Sequence, residues 1–222
     1  MPDPQPTKRP RGRPRAYDPD KALQAALMVF WERGYAATAL DALSAATGMN
    51  RPSLYAAFGN KKAIYRKSLA WFAERLRAEI GTALRYAPDL TTSLRRYYAT
   101  MLDAYMPDER GSGGCPAICT LLAEAPHDEE MREHLKDYLD EIDRSLTGLF
   151  TRAQISGEVA PDADAEALGR LAAAVHHSLA IRARAGEPRK RLEQLVALAV
   201  AGFAPAAPGV APGAAKPDDA AL

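Results

Sequence analysis

The feature that most constrains this sequence is the stretch TALDALSAATGMNRPSLYAAF, which spans residues 38–58. In its first half, Leu40, Leu43 and Ala46 recur every three residues, a spacing that predicts one buried face of a short helix. Gly48 interrupts this spacing, and a glycine can adopt the left-handed conformation that ends a helix. The first half therefore predicts a short helix followed by a tight turn.

The second half of this stretch predicts another short helix. Asn50 is placed to cap it with its side chain, and Pro52 lies in its first turn. Leu54 and Phe58, four residues apart, form its buried side. The other faces carry small or polar side chains and one flanking ring: Arg51, Ser53, Ala56 and Tyr55. This is the helix-turn-helix pattern, whose second helix enters the major groove of DNA, although an ordinary helical hairpin has the same local pattern.

Charge is distributed unevenly along the 222 residues, although the formal net charge is only +1. Residues 1–67 hold 12 Lys or Arg against 5 Asp or Glu, whereas residues 68–222 hold 17 against 23. The basic third coincides with the helix-turn-helix pattern. This coincidence favours a head that binds a polyanion over chance clustering of charge, and it predicts a body with another task.

The first 16 residues, MPDPQPTKRPRGRPRA, combine prolines with dense positive charge, which predicts a flexible basic arm. The run from Arg11 to Pro14 resembles the core of an AT-hook, a segment that lies in the minor groove of A·T-rich DNA. Narrow width concentrates negative potential there and attracts arginine. We therefore expect Arg11, Arg13 and Arg15 to contact the minor groove, with a solvated tail that touches only phosphates as the alternative.

Periodicity and breakers predict an all-α chain of about nine helices. Asp18 is expected to cap the first helix, Thr38 the second and Asp162 the eighth. Beyond the helix-turn-helix, the predicted helices run over residues 61–86, 89–106, 115–125, 128–156, 162–185 and 189–203. The alanine-rich last two are apolar over much of their circumference, which is typical of helices packed against several neighbours.

Several features predict a cytoplasmic protein with no membrane association. No run of 18 apolar residues is present, as a transmembrane helix would require. The basic, proline-rich beginning has no apolar region of the kind found in signal peptides. Two cysteines are too few for a disulfide framework, so a reduced compartment is expected.

Residues 17–71 resemble the DNA-binding domain of the TetR (tetracycline-repressor) family of bacterial transcriptional regulators. The resemblance is carried by Phe30, Gly34, Tyr35, Thr38, Leu40, Leu43, Ala46, Gly48, Leu54, Tyr55, Phe58 and Lys61. It implies that Thr38, Tyr55 and Lys61 contact the DNA backbone. It also implies that the residues nearest the bases are Asn50, Arg51, Pro52 and Ser53. Pro52 departs from the pattern, because a small residue is common there and proline has no amide to donate to a phosphate.

The resemblance implies a three-helix helix-turn-helix domain followed by a larger helical ligand-binding and dimerisation domain. The expected division is a flexible arm at 1–16, the DNA-binding domain at 17–60, the regulatory and dimerisation domain at 61–203 and a disordered tail at 204–222. We expect a homodimer that represses transcription from a partly palindromic operator in double-stranded DNA. A small-molecule inducer or thiol modification would release it. An architectural protein that binds A·T-rich DNA mainly through the arm is the alternative.

Residues in the second domain suggest how release occurs. Cys115 follows two glycines at a predicted helix N-terminus, where the helix dipole would lower its thiol pKa, and Cys119 lies one turn further on. Both are candidates for redox sensing or plain core residues. A mostly apolar ligand cavity, or simply a core, is predicted around Tyr97, Tyr98, Met101, Tyr105, Met131, Leu135, Tyr138 and His176.

Residues that could carry catalysis or bind a cofactor form no recognisable pattern in this sequence. The four histidines have no metal-ligand spacing with the cysteines. No phosphate-binding glycine loop or nucleophile elbow appears. A thiol enzyme based on Cys115 would require a base and an orienting group that the sequence does not supply nearby. We therefore predict neither an enzyme nor a cofactor.

Overall fold

The computed structural model describes residues 17–107 and 113–203, and within these ranges the chain forms nine helices and no strand. The helices are α1 (Pro19–Arg33), α2 (Leu40–Thr47), α3 (Arg51–Phe58), α4 (Lys61–Leu84), α5 (Leu90–Tyr105), α6 (Pro116–Glu124), α7 (Glu129–Ile155), α8 (Ala165–Arg184) and α9 (Arg189–Phe203). The all-α prediction is confirmed. The predicted basic arm and C-terminal tail lie outside the described residues.

Most of the predicted helix boundaries follow from local capping. The side chain of Asp18 accepts hydrogen bonds from the amides of Asp20 and Lys21 at the start of α1. Asn50 accepts a 2.9 Å bond from the amide of Ser53 at the start of α3. Between α2 and α3, Gly48 has a φ of 68°, in the left-handed region where only glycine fits without strain. These contacts form the predicted turn between two short helices.

Two predicted caps are wrong. Thr38 does not cap α2, because Ala39 occupies the cap position and the Thr38 hydroxyl instead donates to the carbonyl of Gly34 at 2.6 Å. The cap of α8 is Asp164, not Asp162.

The reason for the displaced α8 cap lies outside the local sequence. The amide of Gln154 in α7 donates to the carbonyls of Ala160 and Ala163, at 3.1 and 2.7 Å. These bonds hold residues 160–163 in a turn, so the helix begins only after Asp164. Neighbouring structure therefore selects between two equivalent aspartates.

The first four helices form a head around a small aromatic core. Phe30 of α1 packs edge-on against Tyr65 of α4, with ring centroids 5.0 Å apart, and both side chains are fully buried. Leu43 of α2 and Leu54 of α3 are also fully buried. The short helices are therefore held by few buried side chains: Leu43 in α2, and Leu54 with Phe58 in α3.

Helices α5–α9 and the rest of α4 form the body. The closest packing is between α7 and α8, where Gly169 faces Thr147; a Cβ atom at Gly169 would lie 2.3 Å from the Thr147 hydroxyl. Phe150 of α7 and Phe203 of α9 pack edge-on at 5.3 Å. Within the described ranges, none of the helices is both long and apolar enough to cross a bilayer.

Polar contacts join the head to α6 and the start of α7. The Trp31 indole in α1 donates to the carbonyl of Gly113 at 2.5 Å, just before α6. The Ala36 amide donates to Glu124 at 3.2 Å, at the end of α6. Lys62 of α4 forms ion pairs of 2.6 and 3.1 Å with Asp128 and Glu130 of α7. These contacts form the junction through which the body positions the head.

Candidate functional site

Helix α3 has one buried face, which packs in the head, and one exposed face. Leu54 and Phe58 are buried in the head, and the opposite surface exposes Arg51, Pro52, Ser53 and Tyr55. Asn50 is exposed beside them and uses its side-chain oxygen for the cap, as predicted. The structure therefore brings the four residues predicted to lie nearest the bases together at one end of an exposed helix. Such an end is the part of a recognition helix that reaches base edges in the major groove.

Arg51 has a partner that sequence reasoning missed. Its guanidinium lies against Asp41 of α2, with Nη2–Oδ1 and Nε–Oδ1 distances of 2.5 and 2.8 Å. The hydrogen bond to this carboxylate and its charge raise the pKa of Arg51. Both side chains are more than half exposed, so the pair adds little stability and its arginine can exchange the carboxylate for another acceptor. The free protein thus keeps Arg51 extended along the α2–α3 surface.

The two lysines that begin α4 have different surroundings. Lys61 Nζ donates to the carbonyl of Ala36 at 3.2 Å and lies 4.6 Å from the centroid of the Tyr35 ring. Partial burial lowers the pKa of Lys61. Lys62 instead forms the ion pairs with the body described above, and hydrogen bonds to these carboxylates raise its pKa. Among the described residues, Lys61 is therefore the member of the pair that forms no ion pair within 4 Å, although the charge of Glu124 acts on it.

The remaining predicted DNA contacts are less accessible or lie elsewhere. Thr38 is only 2% exposed, and its hydroxyl already donates to Gly34. A phosphate contact from Thr38 stays a prediction, and it requires this hydroxyl to donate to a phosphate oxygen in place of the Gly34 carbonyl. Tyr55, in contrast, is 44% exposed. Arg11, Arg13 and Arg15 lie outside the described residues.

A cavity of about 120 Å³ lies in the body, between α4, α5, α7 and α8. Four of the predicted ligand residues line it: Tyr97, Met101, Tyr138 and His176. Tyr98, Tyr105 and Met131 are buried elsewhere in the core, and Tyr98 donates to the carbonyl of Ala172 at 2.9 Å. The lining residues that the sequence analysis missed include Leu76, Arg77, Ile80, Glu141 and Arg152. Their regular spacing on α4 and α7 was the available signal.

Two tyrosines hold the buried histidine at the cavity wall. The Tyr97 hydroxyl lies 2.9 Å from Nδ1 of His176, and the Tyr105 hydroxyl lies 2.7 Å from Nε2. A neutral imidazole has one donor and one acceptor nitrogen, so both of its hydrogen-bonding positions are occupied. Burial lowers the pKa of His176 to about 3. The ring is therefore neutral at physiological pH and contributes no charge to the cavity.

The prediction that Cys115 has a lowered thiol pKa is wrong. Cys115 does occupy the cap position of α6, and backbone amides there favour the thiolate. The side chain is, however, completely buried, and this desolvation raises its pKa. Its Sγ atom lies 2.9 Å from the hydroxyl of Tyr138. Burial also raises the pKa of Cys119, to about 11, so neither thiol is activated in this conformation.

An exposed helix α3 in a head formed by α1–α4, with a larger helical body behind it, is the arrangement of a helix-turn-helix regulator. Comparison with protein families agrees. Residues 22–67 match the family described as bacterial regulatory proteins, tetR family, and residues 87–199 match the tetracyclin repressor-like C-terminal domain. The chain belongs to the TetR family of bacterial transcriptional regulators.

Individual relatives are similar in sequence to this chain over most of their length. The HTH-type transcriptional repressor ComR of Escherichia coli K12 is 31% identical over 191 residues, which is 85% of this chain and 90% of the relative. The repressor BdcR of the same organism is 26% identical over 144 residues, 64% of this chain and 70% of the relative.

A solved structure also matches most of the chain. A cysteine mutant of the TetR family regulator CifR, complexed with 26-base-pair operator DNA, is 33% identical. The match covers 86% of this chain and 100% of the solved one, with a TM-score of 0.79.

Proposed function

We propose that the protein is a homodimeric transcriptional repressor that acts in the cytoplasm and binds a partly palindromic operator through α3. A small molecule in the body cavity releases it from DNA. The observation that carries this proposal is the exposed start of α3, where Arg51 and Ser53 face solvent while Leu54 and Phe58 anchor the helix. The names of the relatives ComR and BdcR as repressors, and the operator complex of CifR, support repression through DNA binding.

The proposed DNA contacts divide into two kinds. Arg51 and Ser53 read base edges, with Asn50 and Pro52 beside them at the start of α3. Tyr55, Lys61 and Thr38 contact phosphates, which fix the orientation of the head but carry no sequence information. The arginines of the arm, Arg11, Arg13 and Arg15, add minor-groove contacts. Because Asp41 holds Arg51 in the free protein, base reading includes the exchange of this carboxylate for a base acceptor.

The outer surface of α8 and α9 supports the proposed dimer. Leu171 and Ile181 of α8 are 57% and 53% exposed, and Leu198 of α9 is 74% exposed. Exposed alanines accompany them, including Ala174 and Ala201. Apolar side chains that cluster on one surface often mark a protein–protein interface, and a second copy of the same surface would cover them in a two-fold dimer. Two-fold symmetry then places two heads on two half-sites about 34–36 Å apart, or at a multiple of that spacing.

Release requires the ligand to bind one arrangement of the heads more tightly than the other. A ligand in the cavity could have this effect, because the cavity adjoins Tyr138, which contacts Cys115 at the start of α6, and α6 carries contacts to the head.

Thiol modification is the second proposed trigger, and it has the weaker support. Burial raises the pKa of both cysteines, so modification would first require an opening around Cys115. Peroxide treatment that leaves operator affinity unchanged would eliminate the thiol route.

Selection of bound sequences from random duplex DNA tests the DNA-binding proposal. We expect the full chain and a chain lacking residues 1–16 to select the same palindrome, the shorter one with lower affinity. A·T-rich sequences without symmetry, lost on removal of the arm, would instead establish the architectural alternative. Binding should weaken steeply with salt because phosphate contacts release counterions.

Three substitutions then separate the contact classes. Arg51→Ala should cost about 1–3 kcal/mol of operator binding and reduce the preference over random DNA. Lys61→Ala should weaken operator and random DNA alike. Arg75→Ala, at an exposed position roughly 21 Å along α4 from Lys61, is the control and should change neither. Equal loss of preference in the Arg51 and Lys61 variants would contradict the assignment of contacts.

A further inference from the structure

The rim of the body cavity carries more positive than negative charge. The charged side chains that line the cavity are Arg77, Arg152 and Glu141. Arg77 donates from Nε and Nη2 to the same oxygen of Glu141, at 2.9 and 2.5 Å, so this carboxylate is already neutralised. Arg152 has no acidic partner within 4 Å among residues 17–107 and 113–203. The guanidinium group of Arg152 therefore lies beside an apolar cavity without an acidic partner among these residues.

The interior of the cavity offers no charge to a ligand. The Tyr97 hydroxyl is bonded to His176, both nitrogens of His176 are occupied, and the ring is neutral. The remaining walls are mainly apolar, with Leu76, Ile80 and Met101 among them. Any charge on a ligand must therefore be matched at the rim, where the uncompensated group is positive.

We propose that this cavity binds a small carboxylate with a compact apolar body, such as an aromatic acid. The apolar body packs against Leu76, Ile80 and Met101, and the carboxylate pairs with Arg152. The volume of about 120 Å³ suits one ring, since an apolar cavity of about 150 Å³ accepts benzene. Carboxylic acids are ionised at pH 7, and guanidinium groups match their geometry with two parallel hydrogen bonds. The proposal rests on the proposed function in that the cavity is taken to be the inducer site.

Alternative ligand charges are disfavoured by the same contacts. An ammonium group at the rim would meet Arg152 directly, while Glu141, the carboxylate that lines the cavity among the described residues, is engaged by Arg77. A neutral ligand would pack against the apolar walls but would form no ion pair with Arg152. For ligands with the same apolar body, we therefore expect the carboxylate to bind most tightly, the alcohol less tightly and the amine least.

Calorimetric titration of the full chain with benzoate, benzyl alcohol and benzylamine tests this order. We expect benzoate to bind most tightly and Arg152→Gln to weaken it about three- to tenfold, without changing the affinity for benzyl alcohol. Arg144→Gln is the matched control, because Arg144 is an exposed arginine of α7 that does not line the cavity. It should leave benzoate affinity unchanged.

Two results would overturn the assignment of a carboxylate ligand. One is equal or tighter binding of benzyl alcohol or benzylamine, and the other is benzoate binding that is absent or insensitive to Arg152→Gln. Operator binding of the same protein preparation keeps the two proposals separate. A protein that binds its selected operator but not benzoate retains the proposed function and refutes the ligand class. A protein that binds benzoate through Arg152 but selects no DNA sequence refutes the proposed function alone.

Discussion

Replacement of Gly114 by alanine tests the close packing at the beginning of α6. Gly114 has a φ of 68° and its amide donates to the carbonyl of Tyr105 at 2.9 Å. A Cβ atom there would lie 2.6 Å from the carbonyl oxygen of Ala180 and 2.9 Å from both Cβ of Arg184 and Sγ of Cys119. The carbonyl belongs to the backbone of α8 and cannot rotate away. The substitution must therefore move the segment that holds Trp31 of the head.

The expected loss of stability has two parts, and Gly186 separates them. Gly186 also has a positive φ, of 81°, but a Cβ atom there would meet nothing within 4 Å. Gly186→Ala should therefore show only the cost of a left-handed alanine, about 1–2 kcal/mol. Gly114→Ala adds steric overlap in a packed interior, which costs about 1–3 kcal/mol more. For a chain of this size that extra cost lowers the melting temperature by about 2–12 °C relative to Gly186→Ala.

Thermal unfolding of the three proteins by circular dichroism, at one protein concentration, provides the measurement. A fixed concentration is needed because dimer stability depends on it. Operator binding by the folded Gly114→Ala protein is the second readout. We expect weaker operator binding, since the Gly113 carbonyl that accepts a hydrogen bond from the Trp31 indole of the head lies next to the substitution. Equal melting temperatures for the two alanine variants would refute the reasoning, because the close approach would then cost nothing.

Three further predictions concern packing, protonation and charge. Gly169→Ala should destabilise the protein through its overlap with α7, whereas Gly81→Ala, in open space on α4, should stabilise it by up to about 1 kcal/mol; thermal unfolding compares them. The lowered pKa of His176, about 3, means that the unfolded chain binds the proton more readily below pH 6.5. Urea unfolding should therefore show wild-type stability falling from pH 6.5 towards pH 3, by up to about 1.4 kcal/mol per pH unit more than in His176→Asn. Lys62→Met should lower the melting temperature at low salt, and the difference should shrink in 1 M NaCl as its ion pairs are screened.

Local sequence signals predicted the head well because the relevant interactions are local. The Asn50 cap spans three residues, and the turn at Gly48 depends on the conformation of a single residue. The cap of α8 shows the limit of this reasoning. Asp162 and Asp164 are locally equivalent, and the choice between them depends on hydrogen bonds from Gln154 in the preceding helix. The sequence therefore predicted the existence of α8 correctly. Its start was placed too early, because the Gln154 hydrogen bonds cannot be read from the local sequence.

The candidate site was less predictable because its properties depend on residues far apart in sequence. The helix-end position of Cys115 was correctly inferred, but its pKa is raised because desolvation by burial outweighs the hydrogen bonds from backbone amides and from Tyr138 and Tyr105, which lower it. Arg77 and Arg152 appear in the sequence as ordinary charges on exposed helix faces. Only the tertiary fold, which brings α4 and α7 to the walls of the same cavity, places both arginines there. The partner of Arg51, ten residues earlier on another helix, was missed for the same reason.

Helix α6 is one of the elements that connect the cavity to the head, beside α4, which runs from the head to the cavity wall. Gly113 just before it, Thr120 within it and Glu124 at its end each form a hydrogen bond to the head. On its other side, Cys115 contacts Tyr138, which lines the cavity. A ligand that binds equally well to every position of α6 cannot alter operator affinity, however tightly it binds. We therefore expect an inducer that acts through α6 to displace Tyr138, because this side chain lines the cavity and contacts Cys115 at the start of α6.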